Sequence, residues 1–300
     1  MKSKINALIV GYGNIGQHAL EAIRTDDDFE LKAIIDPVWS KKVADVDGIP
    51  MLESIQLAPG FDVALLCVPS RMVMEVGLEI LKMGKRTADI FDIHGDELLH
   101  LYRTFEKVAK ENNTAALISA GWDPGLDSVV RAMLSVMIPH GITFTNFGPG
   151  MSMGHSVAVK AINGVEDAIS LTYPKGCGMH RRMVYIIPNQ VANQQQIKDT
   201  LLNDPYFSHD ETHVTFVESL DNYLDMGHGV HIERKGRAGA QYNQRAFFDC
   251  NIHNPAVTSQ VLVMAARAIM KQHPGCYTMG MVPPADYLNM TIDEIVRDLT

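Results

Sequence analysis

Residues 5–16 of the chain read INALIVGYGNIG. The apolar, β-branched run at residues 5–10 predicts a buried strand. It breaks at Gly11-Tyr12-Gly13-Asn14-Ile15-Gly16. Beyond the break Ile15, Ala19 and Ile23 recur at four-residue spacing, with Leu20 on the same face, which is a helical pattern. Strand, glycine turn and helix in that order form a dinucleotide-binding unit. Gly11 permits the tight turn, Gly13 lets backbone approach a pyrophosphate, and Gly16 lets the helix pack closely on the sheet. The pyrophosphate would lie against the unpaired N–H groups and positive dipole end of the helix. The competing reading is a glycine turn in an ordinary βα unit, and the strand before it and the helix after it argue against that.

Working outward, residues 1–123 alternate short apolar runs with helical patterns. Leu31–Ile35 and Val63–Val68 are expected strands, the latter leading into a helix on which Met72, Val73, Val76 and Ile80 share a face. Strands Arg86–Asp92 and Ala115–Ser119 flank the amphipathic segment Asp96–Asn112. This alternation predicts an α/β chain whose N-terminal domain, residues 1–123, is a Rossmann-type, doubly wound parallel sheet. From residue 124 the texture changes. Helical Asp127–Met137 precedes the β-rich runs Ile142–Phe147, Ala168–Tyr173, Met183–Ile187, Val214–Val217 and Tyr242–Cys250. They predict a second, α+β domain over residues 124–254, mainly antiparallel, for substrate binding and oligomerisation. A strong helix over Pro255–Gln272 opens the segment 255–300, which is expected to rejoin the first domain.

Composition narrows the function. The 300 residues are 46% apolar and 20% charged, as in ordinary globular proteins. A net charge of −9 leaves no basic excess for nucleic-acid phosphates, and the pairs Lys41-Lys42 and Arg181-Arg182 are too short to be such tracts. No apolar run reaches membrane-spanning length, and no signal-peptide core precedes the first strand. A cytoplasmic protein with neither nucleic-acid nor membrane partners is expected. Cys67, Cys177, Cys250 and Cys276 lack CxxC spacing and read as reduced thiols. The twelve histidines show no clustered ligand spacing, so no metal is expected. The acidic stretch Asp26-Asp27-Asp28 reads as a solvated turn.

In an open parallel sheet, ligands bind beyond the carboxyl ends of the strands. The glycine turn, Cys67-Val68-Pro69-Ser70, Asp92, and Gly121-Trp122-Asp123-Pro124-Gly125 each follow such an end, so all four are expected on one rim. Two carboxylates and a tryptophan there suit a cationic group such as a substrate ammonium. The alternatives are a helix N-cap for Asp92 and a turn former before proline for Asp123.

At this point the chain resembles the meso-diaminopimelate dehydrogenases, in their compact form. The motifs that carry the resemblance are GYGNIG at 11–16, DIFDIH at 89–94, SAGWDPG at 119–125 and FGPGMSMGHS at 147–156. HRR at 180–182, MGHG at 226–229 and HNP at 253–255 complete the series. The resemblance implies reversible oxidative deamination of the D-centre of meso-2,6-diaminopimelate to L-2-amino-6-oxopimelate and ammonia, in lysine and diaminopimelate biosynthesis. It implies NADP as cofactor, held by residues 11–16 and by Cys67, Val68, Pro69 and Ser70. By the same resemblance Asp92 and Asp123 hold the D-amino group, and Trp122 and Phe147 wall the pocket. Ser152, Met153 and Gly154 meet the reacting end, and Thr172, Arg182, His228 and Asn254 grip the distal L-amino acid end. A homo-oligomer is implied as well.

The chemistry of these residues agrees. A substrate zwitterionic at both ends needs anionic and cationic groups held apart, and a guanidinium grips a carboxylate with two parallel donors. For the general base Asp92, Asp123 and His155 all qualify, with His155 more suited to a structural hydrogen bond. Glycines 227 and 229 beside His228 would let ligand approach, and Arg181 should face the opposite side of its strand from Arg182. One departure stands out. Where the family carries basic residues after the second strand, this chain has Asp36, twenty residues after Gly16. An acid there normally bonds the ribose 2′-hydroxyl and repels a 2′-phosphate, which points to NAD, while Lys41 and Lys42 offer compensating charge. NADP is therefore expected, with NAD accepted. Two other readings stay open: a dihydrodipicolinate-reductase-like enzyme or dehydrogenase of another D- or diamino acid, and a non-catalytic dinucleotide sensor.

Overall fold

The apolar run Ile5–Val10 is the middle strand of the first sheet, its last four residues buried. A computed structural model describes residues 4–224 and 227–300, so Met226 of the MGHG motif lies outside the described residues. In chain order the first elements are β1 (Ile5–Val10), α1 (Asn14–Arg24), β2 (Phe29–Ile35), β3 (Asp45–Val46), β4 (Ile49–Leu52), β5 (Val63–Leu66) and α2 (Ser70–Lys82). Next come β6 (Arg86–Asp89), α3 (Asp96–Glu111), β7 (Ala115–Leu117), α4 (Leu126–Met137), β8 (His140–Met151), α5 (Met153–Lys160), β9 (Val165–Gly176) and β10 (Met179–Pro188). The chain ends with α6 (Gln194–Leu202), β11 (Glu211–Phe216), β12 (Gly227–Ala238), β13 (Gln241–His253), α7 (Asn254–Ile269), β14 (Gly275–Tyr277), α8 (Pro284–Tyr287) and α9 (Ile292–Leu299). It divides into two compact units, Met1–Val129 with Pro255–Thr300, and Val130–Asn254. Among the described residues no helix is long and apolar enough to cross a membrane.

In the first unit the strand order is β14-β7-β6-β5-β1-β2-β4-β3, parallel except for the β3–β4 hairpin. Strands fan out on both sides of β1, so the order reverses between β1 and β5, where their following loops diverge and a ligand crevice forms. Helix α1 buries Gly16, Ala19, Leu20, Ala22 and Ile23. Helix α2 departs from expectation: its buried stripe is Val73, Gly77, Ile80 and Leu81, while Met72 is exposed. Gly77 decides the stripe, because a Cβ there would meet the Phe105 ring at 2.3 Å, so α3 packs directly on its backbone. Strand β6 ends at Asp89, three residues earlier than predicted, which leaves Asp92 in the loop beyond it. The C-terminal segment contributes α7 and also a strand, β14, on the sheet edge, paired with β7.

The acidic stretch is not a solvated turn. Arg267 on α7, 4% exposed, donates to the carboxylates of Asp26 and Asp28 and lies over the Phe29 ring. A buried guanidinium requires paired anions, and these two aspartates supply them.

The second unit holds a six-stranded sheet ordered β11-β10-β9-β8-β12-β13, antiparallel except for the β10–β11 pair. Strand β12 was not expected. Its inward positions are His228, Val230, Ile232 and Arg234, all buried, so two polar residues break the apolar alternation that marks a strand. Arg234 is held there by the carbonyls of Ile138 and Pro139 and the Thr143 hydroxyl.

Candidate active site

The glycine turn leaves β1 at the reversal of strand order. Gly11 has φ +94°, and a Cβ there would meet the Cys67 carbonyl oxygen at 2.6 Å. A Cβ on Gly16 would lie 2.1 Å from the Gly11 carbonyl oxygen, so α1 starts against the turn itself. At Gly13 a Cβ would meet nothing within 4 Å. Helix α1 carries no side-chain cap and no acid in its first turn, so its leading N–H groups are not covered by protein side chains. Two close-packed glycines under an open, uncapped helix start fit a dinucleotide pyrophosphate.

Asp36, at the end of β2, organises the loops on either side. Its Oδ2 accepts from Tyr12 N at 2.9 Å, and its Oδ1 from Val38 N at 2.8 Å and Trp39 N at 2.9 Å. Burial pushes its carboxyl up, but these three backbone donors outweigh that and hold it below the usual carboxylate range. The Tyr12 ring meets Trp39 edge-on at 5.5 Å, and Lys42 Nζ sits 5.1 Å from the Trp39 ring centre.

Cys67 and Val68, after β5, are buried. Burial pushes the Cys67 thiol up to about 12, which makes it inert as a nucleophile. Pro69 precedes α2, whose first residue, Ser70, donates to Asp92 Oδ1 at 2.5 Å and accepts from Asp92 N at 3.0 Å. This reciprocal pair ties the loop after β5 to the predicted site acid.

Asp89, absent from the expected set, binds the two acid-bearing loops together. Its Oδ1 accepts from Phe91 N and Ser119 N, both at 3.0 Å, and its carbonyl accepts from Ala120 N at 2.7 Å. One bond reaches the loop of Asp92, the others the loop of Trp122 and Asp123. Trp122 is buried, and its backbone N–H approaches the Thr258 hydroxyl at 3.4 Å. Asp89 is fully buried, and its Oδ2 has no hydrogen-bond partner among the described residues. Burial lifts its carboxyl to about 6, against the two N–H bonds that lower it. The folded protein therefore keeps a proton there that the unfolded chain has lost between about pH 4 and 6. Asp89's contribution to stability is complete below that window and is lost as pH rises through 6. Asp89→Asn stays neutral and should gain on the wild type by about 1–2 kcal/mol between pH 4.5 and 7.5. Urea unfolding midpoints at the two pH values measure this, and an unchanged difference would refute it.

The second unit places its predicted residues by register. Arg182 of β10 lies opposite Thr172 of β9, Thr172 opposite Gly150 of β8, and Gly150 opposite His228 of β12. Directly opposed residues share a face, so Arg182, Thr172, Gly150 and His228 form one row across four strands. Gly150 has φ +141°, and a Cβ there would overlap the Gly227 carbonyl oxygen at 1.7 Å, so a glycine is what lets β8 and β12 approach at the middle of the row. Gly229 serves strand contact and not ligand approach, because its Cβ would meet the Gly148 carbonyl oxygen at 2.7 Å. Arg182 is buried; its Nη1 donates to the Thr172 hydroxyl and its Nε to Asp210 at 2.7 Å. Arg181 points the other way, to partly exposed Glu211 at 2.8 Å.

The histidines around the row are neutral. His228 Nδ1 donates to the Met151 carbonyl at 3.2 Å, and burial, with the charge of Arg182, lowers its pKa. Its Nε2 is left as an acceptor. His180, two residues before Arg182, accepts from Phe147 N at 2.9 Å, and burial lowers its pKa too. The Phe147 ring lies 6.0 Å from the His228 ring. Burial takes His155 down to about 4. Its Nε2–H donates to the Tyr206 carbonyl at 2.9 Å, so its Nδ1 accepts from the Ser152 hydroxyl at 2.7 Å. Ser152 precedes α5, which begins Met153-Gly154, and a Cβ on Gly154 would meet only the edge of Tyr206 at 3.9 Å. Asn254 opens α7.

Asp89, His180 and Asp210 carry no site role in the sequence analysis, although the motifs at 89–94 and 180–182 contain the first two. His180 was readable from the two-residue period it shares with Arg182. Asp89 and Asp210 act through loop geometry that leaves no spacing pattern.

The sheet order and glycine turn define a pyridine-nucleotide oxidoreductase, and residues 5–91 match the oxidoreductase family with an NAD-binding Rossmann fold. Residues 121–179 match the diaminopimelic acid dehydrogenase C-terminal domain. The meso-diaminopimelate D-dehydrogenase of Bacteroides fragilis is 50% identical over 95% of both chains. Among solved structures, C. glutamicum DAP dehydrogenase in complex with DAP superposes with a TM-score of 0.89 at 25% identity, covering 99% of this chain and 100% of that one. A mutant meso-DAP dehydrogenase with DAP from Clostridium tetani E88 gives 0.83 at 29% identity, with the same coverage. The chain belongs to the meso-diaminopimelate D-dehydrogenase family.

Proposed function

We propose that this chain oxidatively deaminates the D-centre of meso-2,6-diaminopimelate, reversibly, giving L-2-amino-6-oxopimelate and ammonia. The observation that carries the reading is the Arg182–Thr172–Gly150–His228 row, a buried cation beside a hydroxyl and an imidazole on one face of the sheet, in a chain of this family. Arg182 and the Thr172 hydroxyl bind the distal carboxylate, and His228 Nε2 and Asn254 complete that end. Asp92 and Asp123 hold the D-ammonium, take its proton, and assist the water that attacks the imine left by hydride loss, giving the oxo group and ammonia, while Trp122 and Phe147 wall the pocket. His155 has both ring nitrogens engaged and fixes Ser152, so it is not the base. Ser152, Met153 and Gly154 border the reacting end.

NADP is the proposed cofactor, with NAD accepted; residues 11–16 and 67–70 would hold it, and it would supply the hydride acceptor. Asp36 is engaged with three backbone N–H groups, which favours a loop-organising role over a ribose ligand, and Lys41 and Lys42 supply charge for a 2′-phosphate. The enzyme is proposed to be cytoplasmic, to serve lysine and diaminopimelate biosynthesis, and to form a homo-oligomer. The edge strand β13 supports the last point, with Tyr242 and Phe247 largely exposed.

Nicotinamide reduction tests the whole reading, with meso-diaminopimelate, its LL and DD isomers and simple D-amino acids as substrates. Reduction confined to the meso isomer and faster with NADP⁺ is expected. Lys41→Ala combined with Lys42→Ala should cut kcat/KM for NADP⁺ about tenfold and leave NAD⁺ unchanged, as for loss of charge-assisted phosphate bonds. Equal reduction of simple D-amino acids would refute the distal grip. No reduction with any amino acid would favour the sensor.

A further inference from the structure

Asp210 stands immediately before β11, with about four-fifths of its side chain covered. Its Oδ2 accepts from Arg182 Nε at 2.7 Å, while its Oδ1 and the Nη2 of Arg182 have no partner among the described residues. Neighbouring Glu211 differs, because Lys175, His213 and Arg181 engage both of its oxygens. Asp210 is thus the carboxylate with an oxygen to spare at the row.

Charge balance says what that oxygen is for. Arg182 and Asp210 sum to zero. The other titratable groups around the row, His155, His180 and His228, are held neutral by burial, and Arg181 faces away to Glu211. A ligand end carrying only a carboxylate would leave one uncompensated anion in a largely buried site, which is strongly unfavourable. An end carrying carboxylate and ammonium on one carbon adds no net charge. It also offers a donor beside the acceptor that Arg182 requires.

We propose that Asp210 is a specificity-determining residue, its Oδ1 taking the ammonium of the distal L-amino acid end while the Nη groups of Arg182 take that end's carboxylate. This rests on the substrate reading above. A residue that only held Arg182 in place would affect every substrate with a distal carboxylate equally.

The test compares meso-diaminopimelate with D-2-aminopimelate, which keeps both carboxylates and the D-amino group but lacks the distal ammonium. The wild type should prefer meso-diaminopimelate by about 100-fold or more in kcat/KM, since a site built to bond a polar group discriminates strongly against its absence. In Asp210→Asn the ratio should collapse below about tenfold, through a higher KM for meso-diaminopimelate and an unchanged or improved rate with D-2-aminopimelate. Asp210→Glu keeps the charge and should keep most of the preference. If Asp210→Asn fails to fold, Asp210→Ser reads the same ratio. An equal fall with both substrates, or a wild type that does not discriminate, overturns the role of Asp210 alone. A wild type inactive on meso-diaminopimelate overturns the substrate reading and this proposal with it.

Discussion

Arg182→Leu should lower kcat/KM for meso-diaminopimelate by about a thousandfold, mostly through KM, in line with the roughly 2–5 kcal/mol attached to truncating a buried charge pair. Two losses combine. The distal carboxylate loses its cation, and Asp210 is left largely buried without a counter-charge. Arg182→Lys should recover little. One ammonium cannot serve Asp210, Thr172 and a ligand carboxylate in the directions that a planar guanidinium does. Steady-state kinetics with meso-diaminopimelate decide the matter, and a loss below tenfold would mean that the row does not bind the distal end.

Gly125→Ala should remove activity and destabilise the first unit. Gly125 has φ +145°, and a Cβ there would lie 2.0 Å from the Gly121 carbonyl oxygen and 2.7 Å from Gly121 N. Both contacts are backbone, so no side chain can rotate away. Residues 121 and 125 are bridged, and the turn between them carries Trp122 and Asp123. Relieving the overlap must open that turn, at a cost of about 3 kcal/mol or more for a strained non-glycine backbone with a steric clash. Thermal unfolding should show a clear drop in midpoint, with kcat/KM down at least a hundredfold. A variant of wild-type stability and rate would show that the turn has room the geometry denies it.

Much of this molecule was legible because apolar periodicity reports burial directly. The strand at 5–10, the glycine turn and helix α1 follow from it, as does the parallel first sheet. Strand β12 did not, because His228 and Arg234 fill inward positions and erase the alternation. The stripe on α2 was misassigned at Met72, since the contact with Phe105 that rotates the helix comes from a residue 28 positions away from Gly77. The Arg182–Thr172–Gly150–His228 row shows a different limit. Three of its members, Thr172, Arg182 and His228, were named from the family resemblance, yet their alignment depends on strand register, which no motif encodes. The roles of Asp89 and Asp210 were hidden for the same reason, since each acts on groups brought near by loops.

The ion triad of Arg267 with Asp26 and Asp28 links residues 241 and 239 positions apart. At about 5–20 residues per second, a ribosome makes the two acids roughly 12–50 s before it makes their partner. The second unit, drawn from the single continuous segment Val130–Asn254, is synthesised whole within that interval. Birth order on the ribosome thus runs opposite to chain order, with the later-encoded unit complete first and the nucleotide-binding sheet finished only when α7 and β14 emerge.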